Sequence, residues 1–495
     1  MPQHDSQAPL PQSPNMHWAW LPGLYALFFA INLLTSAQYP VVWIDEVMFV
    51  DPAINLYLGD GFTSTAWPYQ DLDRFFAGYP PLYSLLLTAW IYITAIDPVS
   101  LRAMNYLLII AATVAILSAA ARKRWIIRGN YRVLLALLIL TCYSISMSYR
   151  SDRPDTLMLL MAAGLFLTAT LKTQATRTVL MFTLAALFPF VGLQLVMYTG
   201  LTTLLVLTYV RKEFLKDFFL INGGMFIGLL AMLAIYAKIG VLSDFINAMQ
   251  GGSTTGFIQG LMQGHFDHQN ALPKDLSFLL LFPTSILTFM ALRQRGNYPH
   301  KPLLSYSLVA SIVIPAALII LGKFPTYYSW MIYVPLSIAV VAVISETKSR
   351  IHALILSMLT ATCLVGLPFQ LLMISYDWAD RSHDAIVNAV HKNISASDWA
   401  LTDYGAYFAV KTTAKRTYSP HYTPRLTAQE KDSITVIIAA DEFVKKATGA
   451  IGGKWYIADA IKPQHASLTE RLLGVPIRFG MFDRKYELKI YRREK

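Results

Sequence analysis

Three short stretches hold the residues best suited to chemistry. The first is Trp43-Ile44-Asp45-Glu46, with two adjacent carboxylates. The second carries Arg150, Asp152, Arg153 and Asp155 within six positions, and the third sets Lys323 just ahead of Tyr327 and Tyr328. A carboxylate within hydrogen-bond reach can deprotonate an acceptor hydroxyl. Arginine or lysine can hold a phosphate whose negative charge grows as its bond to a sugar breaks. Each stretch also has a plainer reading: solvated acids in an acidic loop, local ion pairs in a tight turn, and a lysine snorkelling from a span end.

A fourth stretch is less specific. Gly251-Gly252, Gly256, Gly260 and Gly264 precede His265-Phe266-Asp267-His268 in a long loop. Such a loop suits a lid, and His265 suits a substrate contact. The two histidines leave a divalent metal open as a partner, but no second ligand cluster accompanies them, so no cofactor is firmly implied. Cys142 and Cys363 lie in apolar stretches and read as small hydrophobes, outside any disulfide or zinc spacing.

The elements that must position these residues are membrane helices. The chain has 495 residues, 55% hydrophobic and 14% charged, with a mean hydropathy of +0.44; soluble domains carry about 25% charged residues. Apolar stretches that reach or approach the roughly 20 residues needed to cross hydrocarbon recur through the first three quarters of the chain. The net charge of +11 sits in short loops between those stretches and in the final part. That pattern follows the positive-inside rule and argues against a nucleic-acid partner.

Loop charge then sets the topology. The polar loop Gln38–Tyr79 holds six acids against Arg74 alone and should face away from the cytoplasm; Arg122-Lys123-Arg124 with Arg128 and Arg132 should face it. Two apolar segments lie between these loops, so one must not cross. Leu82–Ile96, about 15 residues long and bounded by Pro80-Pro81 and Asp97-Pro98, is too short and is read as an interfacial helix on the outer side. The remaining segments give about eleven spans. They include Val133–Ser148 and Leu354–Ile374 as single crossings, and they place all the candidate stretches outside.

The predicted fold is therefore mainly α: a polytopic membrane protein with outer interfacial helices and a small C-terminal α/β extracytoplasmic domain. Residues 1–17 read as a disordered cytoplasmic tail, 18–375 as the transmembrane catalytic part, and 376–495 as the outer domain. Within the last, Val436–Ala439 and Trp455–Ala458 read as buried strands, Tyr486, Leu488 and Ile490 alternate as in a strand, and His383–His391 has helical spacing.

Asp45-Glu46, then Gly78-Tyr79-Pro80-Pro81-Leu82-Tyr83, then Arg102, then Arg153-Pro154-Asp155 form an ordered set that resembles the C-type-fold membrane glycosyltransferases. Among these it is most similar to bacterial relatives of the protein O-mannosyltransferases and of the lipid A aminoarabinose transferase. The similarity covers about Trp18–Val210 by motif and the later spans by layout. The resemblance implies a multi-pass protein of the inner (plasma) membrane and a polyprenyl-phosphate-linked sugar as donor. It also implies an inverting displacement onto a lipid, glycan or protein acceptor, with membrane lipid around it. It gives Asp45 the role of base, Glu46 that of its neighbour, and Asp155 that of the second acidic loop's carboxylate. Tyr79, Pro80 and Arg102 enter as substrate contacts through the shared motifs. Many relatives have Lys or His at the position of Tyr79, which leaves Arg150, Arg153 or Lys323 to meet the phosphate.

Two readings from other classes stand beside this one. A lipid transporter or flippase would need a polar path through the bilayer, and the span centres offer almost no ionisable residues. A non-enzymatic envelope assembly factor would use the C-terminal domain for binding and would tolerate substitution of Asp45.

Overall fold

In the computed structural model the described residues are 20–68, 70–209, 211–251, 275–293, 300–321, 324–346, 351–466, 470–471 and 485–494. His265, His268, Lys323 and most of the glycine-rich loop lie outside them. Helix α1 (Trp20–Thr35) is followed by α2 (Ile44–Leu58), α3 (Leu82–Ile91) and α4 (Pro98–Arg122). Next come α5 (Gly129–Thr141), α6 (Tyr143–Tyr149), α7 (Asp155–Thr168), α8 (Gln174–Val191), α9 (Leu193–Tyr209), α10 (Arg211–Ile239) and α11 (Leu242–Gly251). Helices Leu276–Arg293, Lys301–Leu321, Trp330–Glu346, His352–Leu364 and Leu367–Ser375 complete the bundle.

Each expected span has a helix or a bent helix pair on it. Among the described residues five helices are long and apolar enough to cross alone, or seven spans if each bent pair counts as one; the rest are shorter apolar helices. The multi-pass membrane fold is thus built as hydropathy indicates, with two corrections to the spans. The crossing expected over Val133–Ser148 is broken at Cys142 into α5 and α6, bent by 61°. The one expected over Leu354–Ile374 is broken near Gly366 and bent by 47°. A Cβ on Gly366 would lie 1.6 Å from the Thr141 carbonyl oxygen, so the second break packs directly on the first. Hydropathy averages over such breaks and does not register them.

Elsewhere helices close on small residues, as is usual where lipid supplies no hydrophobic drive. Gly224 and Gly228 of α10 seat on α8, where a Cβ at Gly228 would meet the Ala186 carbonyl oxygen at 1.9 Å. Helix α3 is 10 residues long, well short of a crossing. It buries Tyr83, Ser84, Leu87, Thr88 and Ile91 on one face, and Ser84 Oγ donates to the Phe49 carbonyl of α2 at 3.0 Å.

The stretch Gln38–Tyr79, expected as a polar loop, contains α2 instead. Ten consecutive residues of α2, Glu46 to Asn55, are buried. The two acids buried in α2, Glu46 and Asp51, are neutralised by partners distant in sequence. Asp51 is the clearest case: it is fully buried. It accepts from Tyr407 Oη at 2.6 Å, Ser64 Oγ at 2.8 Å and the Thr65 amide at 2.7 Å, and it pairs with Lys411 Nζ at 3.3 Å.

Tyr407 and Lys411 belong to the C-terminal α/β domain, so this network docks that domain on α2. The domain's sheet comprises β1 (Trp399–Thr402), β2 (Arg416–Tyr418), β3 (Val436–Ala439), β4 (Trp455–Ile461) and β5 (Leu488–Arg493) in the order β2-β1-β3-β5-β4. Strands β1, β2 and β3 run parallel, and β5 pairs antiparallel with both β3 and β4. Alternate residues of β3 point to opposite faces. Val436 and Ile438 pack with Ile386 and Val390 of the helix His383–Asn393, and Ile437 and Ala439 pack with Ala447 and Ile451 of the helix Asp441–Ile451. Strand β4 is not buried as expected: it is an edge strand, with Tyr456 49% and Ile457 55% exposed.

Lys411 gives the first prediction. Breaking a buried charge pair costs about 3–5 kcal/mol, and Asp51 would keep its hydroxyl and amide donors. Lys411→Met should therefore destabilise the protein by about 3 kcal/mol, the lower end of that range. Thermal unfolding of the purified protein in detergent reads it as an earlier transition. An unchanged midpoint would show that the domain is gripped elsewhere.

Candidate functional site

The first turn of α2, the turn between α6 and α7, and the short 3-10 helix Thr326–Tyr328 meet at one place, beneath the C-terminal domain. Asp45 and Glu46 occupy the first turn of α2, where carboxylates complement the positive end of the helix dipole. Adjacent on the chain, they face different partners.

Glu46 points inward and is fully buried. Arg102 of α4 meets it with a two-pronged fork, Nε to Oε1 and Nη2 to Oε2, both at 2.7 Å. The remaining nitrogen, Nη1, donates to the Ser36 carbonyl just past α1. Asp45 is the more open member, with 27% of its side chain exposed. It pairs with Arg153 Nη1, while Arg153 Nε donates to Asp155 Oδ2 at 2.8 Å.

The Arg153 guanidinium is enclosed by rings. Its carbon lies 3.5 Å from the Tyr327 centroid, 5.4 Å from that of Phe49 and 5.8 Å from that of Trp43, so cation–π attraction adds to the two ion pairs. Burial, opposed by the nearby Arg153 charge, holds the Tyr327 phenol well above its ordinary range, so it keeps its proton. Tyr328 is buried, edge-on to Tyr327 at 5.0 Å.

The Gly78–Pro81 segment forms part of the surrounding wall. Tyr79 Oη donates to Gln194 Oε1 at 3.0 Å, its ring meets Phe49 at 4.8 Å, and Pro80 is buried beside it. Asn105, three residues after Arg102 on α4, donates both to Tyr83 Oη at 3.1 Å and to the Arg153 carbonyl at 3.2 Å. One face of α4 thus fixes both acidic segments.

Three residues expected as substrate contacts are placed differently. Arg102 is enclosed with Glu46. Arg150 is fully buried and donates to the Tyr39 carbonyl at 2.8 Å, to the Thr35 carbonyl and hydroxyl at 3.0 and 2.8 Å, and to Asn32 Oδ1. It caps the end of α1. Asp152 is fully buried next to Glu46. The tight turn makes Arg150 and Asp152 look solvent-borne in sequence, and the C-terminal end of α1 and the first turn of α2 enclose them. Asp45, Asp155, Arg153 and Tyr327 remain together.

Two groups were not foreseen. Tyr404, in the turn after β1, is buried in the same apolar cluster as the membrane helices. Burial first, then the charges of Asp403 and Asp45, keep its phenol well above the ordinary range. Its Oη is hydrogen-bonded to His421 Nδ1, and His421 is exposed. The only sequence signal was the pattern of a parallel strand running into a turn, the place where open α/β sheets present functional side chains.

Among the described residues no three His, Cys, Asp or Glu side chains gather as metal ligands. Asp45 and Asp155 share the Arg153 guanidinium. A cavity of about 640 Å³ runs inside the bundle from Trp330, just past Tyr328, toward Trp125 and His300. Leu159, Phe166 and Val334 are typical of its apolar lining.

No family model matches the chain, and no curated protein matches it in sequence. Solved structures do match. ArnT from Cupriavidus metallidurans in the apo state aligns over 95% of this chain and 98% of its own, with a TM-score of 0.61 at 11% identity. The same protein bound to undecaprenyl phosphate aligns over 97% and 98%, with a TM-score of 0.40 at 11% identity. The arabinofuranosyltransferase AftD from Mycobacteria aligns over 96% of this chain and 40% of its own, with a TM-score of 0.49 at 11% identity. The apo ArnT likeness runs through nearly the whole of both chains, so this chain has the C-type membrane glycosyltransferase fold that its ordered motifs resemble.

Proposed function

We propose that this chain transfers a sugar from a polyprenyl-phosphate carrier to an acceptor on the extracytoplasmic face of the inner membrane. The observation that carries this reading is the Asp45–Arg153–Asp155 triad, in which Asp45 alone is partly open while its position is fixed from behind. In the reaction the acceptor hydroxyl gives its proton to Asp45 as its oxygen bonds to the anomeric carbon. The bond from that carbon to the phosphate oxygen breaks, its electron pair leaves with the polyprenyl phosphate, and the configuration inverts.

Arg153 then has two tasks. It orients the base, and it supplies positive charge beside the leaving phosphate, where an oriented cation stabilises a transition state more than water does. Lys323, four residues before Tyr327, is the second candidate for the phosphate. The apolar cavity starting at Trp330 suits a stretch of isoprenoid chain, and the ArnT whose fold this chain shares has been solved with undecaprenyl phosphate bound. Tyr404 comes from the C-terminal domain near enough for the Asp45 charge to act on its phenol and is hydrogen-bonded to His421, which suits the pair to the acceptor, whether lipid A, another glycan or a protein.

A general base contributes about 10²–10⁴-fold, so Asp45→Asn should reduce transfer by at least about 10²-fold while membrane abundance stays normal. The readout is mass spectrometry of envelope lipids, glycans and glycoproteins from cells with and without the gene, complemented by each variant. A complemented product at the wild-type level would remove Asp45 as the base. Tyr404→Phe deletes one hydrogen bond, worth about 1 kcal/mol, and should lower product yield several-fold. An unchanged yield would place the acceptor elsewhere.

A further inference from the structure

We propose that the basic loop between α4 and α5 binds an anionic phospholipid of the leaflet opposite the candidate site, and that one acyl chain of that lipid enters the far end of the apolar cavity. Nothing in this depends on sugar transfer.

The loop lies one membrane thickness from the site. Arg102, which holds Glu46, and Arg122 both belong to α4, a helix long and apolar enough to cross a membrane. The rise between them is about 30 Å, the thickness of the hydrocarbon layer. Beyond Arg122 the chain passes through Lys123, Arg124, Trp125, Ile126, Ile127 and Arg128 into α5, and no Asp or Glu occurs between Asp97 and Asp152. Arg122, Lys123, Arg124 and Arg128 are exposed. Among the described residues none of these four side chains has an ion-pair or hydrogen-bond partner.

Positive charge on a loop can orient a chain in the membrane without binding anything. What makes this loop a site is its shape and its apolar members. Arg124 has φ +56°, the Trp125 amide donates to the Ala120 carbonyl at 2.9 Å, and Arg132 Nε donates to the Ile126 carbonyl at 3.0 Å. The cations are thus set on a defined turn. Ile127 stands among them 61% exposed. An apolar side chain between cations suits the boundary of headgroups and acyl chains, where a soluble polyanion would leave it unmatched. Trp125, next to Arg124, lines the cavity and stacks on Phe166 of α7 at 5.6 Å. Charge and apolar volume therefore adjoin at one residue, the two halves of a phospholipid.

The cavity has two ends. Trp330 opens the helix Trp330–Glu346, and His300, also in the lining, has its Nε2 3.2 Å from Glu346 Oε1 at that helix's last residue. The apolar space therefore follows a 17-residue helix, about 25 Å. The proposed donor's isoprenoid tail would enter beside Trp330 and the phospholipid chain beside Trp125. Juxtamembrane clusters of four or more Lys and Arg attract anionic lipid, with about fivefold in affinity from each cation.

Native mass spectrometry of the purified full chain in detergent tests the site, with long-chain phosphatidylglycerol and phosphatidylcholine of the same chains as probes. Phosphatidylglycerol should stay bound at concentrations at least about tenfold lower. Arg124→Gln and Arg128→Gln alter exposed side chains and should each weaken it about fivefold, leaving phosphatidylcholine unchanged. Ala169→Phe narrows the Trp125 end of the cavity without changing charge. It should weaken long-chain phosphatidylglycerol several-fold and leave the dihexanoyl form unaffected; if that variant does not fold, Val206→Phe narrows the same end from the last turn of α9. Inorganic phosphate at the same concentration should not displace the lipid. Equal retention of the two long-chain lipids, unchanged binding in both charge variants, or displacement by inorganic phosphate would each overturn the proposal. So would a narrowed cavity that binds both chain lengths as wild type does.

Discussion

The buried fork between Glu46 and Arg102 is the contact on which the rest of the site depends. Its value is geometric more than energetic. Removing both charges from water costs several kcal/mol per ion, and their attraction offsets this only because both prongs close at 2.7 Å. Arg102 grows from α4, Glu46 from the first turn of α2, and the third nitrogen reaches the Ser36 carbonyl past α1. One guanidinium therefore fixes three helices relative to each other. Side chains at successive helix positions diverge by about 100°, so anchoring Glu46 inward leaves Asp45 turned toward Arg153.

Much of this arrangement was legible in the sequence, and the part that was not has a consistent cause. Spans are legible because lipid requires about 20 apolar residues in a row, a constraint written locally. The same requirement identified the segment after Pro80-Pro81 as too short to cross, and α3 is 10 residues long. The Asp45-Glu46 pair was also visible, but not its division of labour. What decides that is Arg102 and Arg153, whose positions along the chain bear no periodic relation to the acids they neutralise.

The same long-range effect explains the polar stretches that proved to be buried. Acids at Glu46 and Asp51 helped make Gln38–Tyr79 look solvated, although Val47, Met48, Phe49 and Val50 between them, with Ala53 and Ile54 after them, carry a core-facing helix. Arg150 and Asp152 likewise look like surface charges in a tight turn. Arg150 instead satisfies carbonyls at the end of α1, groups that a helix end leaves without partners. A local reading assigns polarity correctly and burial wrongly wherever a buried charge is matched by a partner from another element.

Helix α2 is also held a second time. Asp51, five residues after Glu46 and about 7.5 Å further along the axis at the usual rise, is gripped by Tyr407 and Lys411 of the C-terminal domain. The membrane helices fix the start of α2 through Arg102, and the C-terminal domain fixes its middle through Asp51. On the proposed reading of Asp45 as the base, two clamps on one short helix have a chemical use, because a base that must meet an acceptor proton loses rate steeply with misplacement of about 1 Å. The C-terminal domain that supplies the second clamp also brings Tyr404, hydrogen-bonded to His421, near enough for the Asp45 charge to act on its phenol. Under the same proposed reading, an acceptor that reached Asp45 past Tyr404 would meet the same domain that holds the middle of α2, so acceptor recognition and placement of the base would depend on one interface.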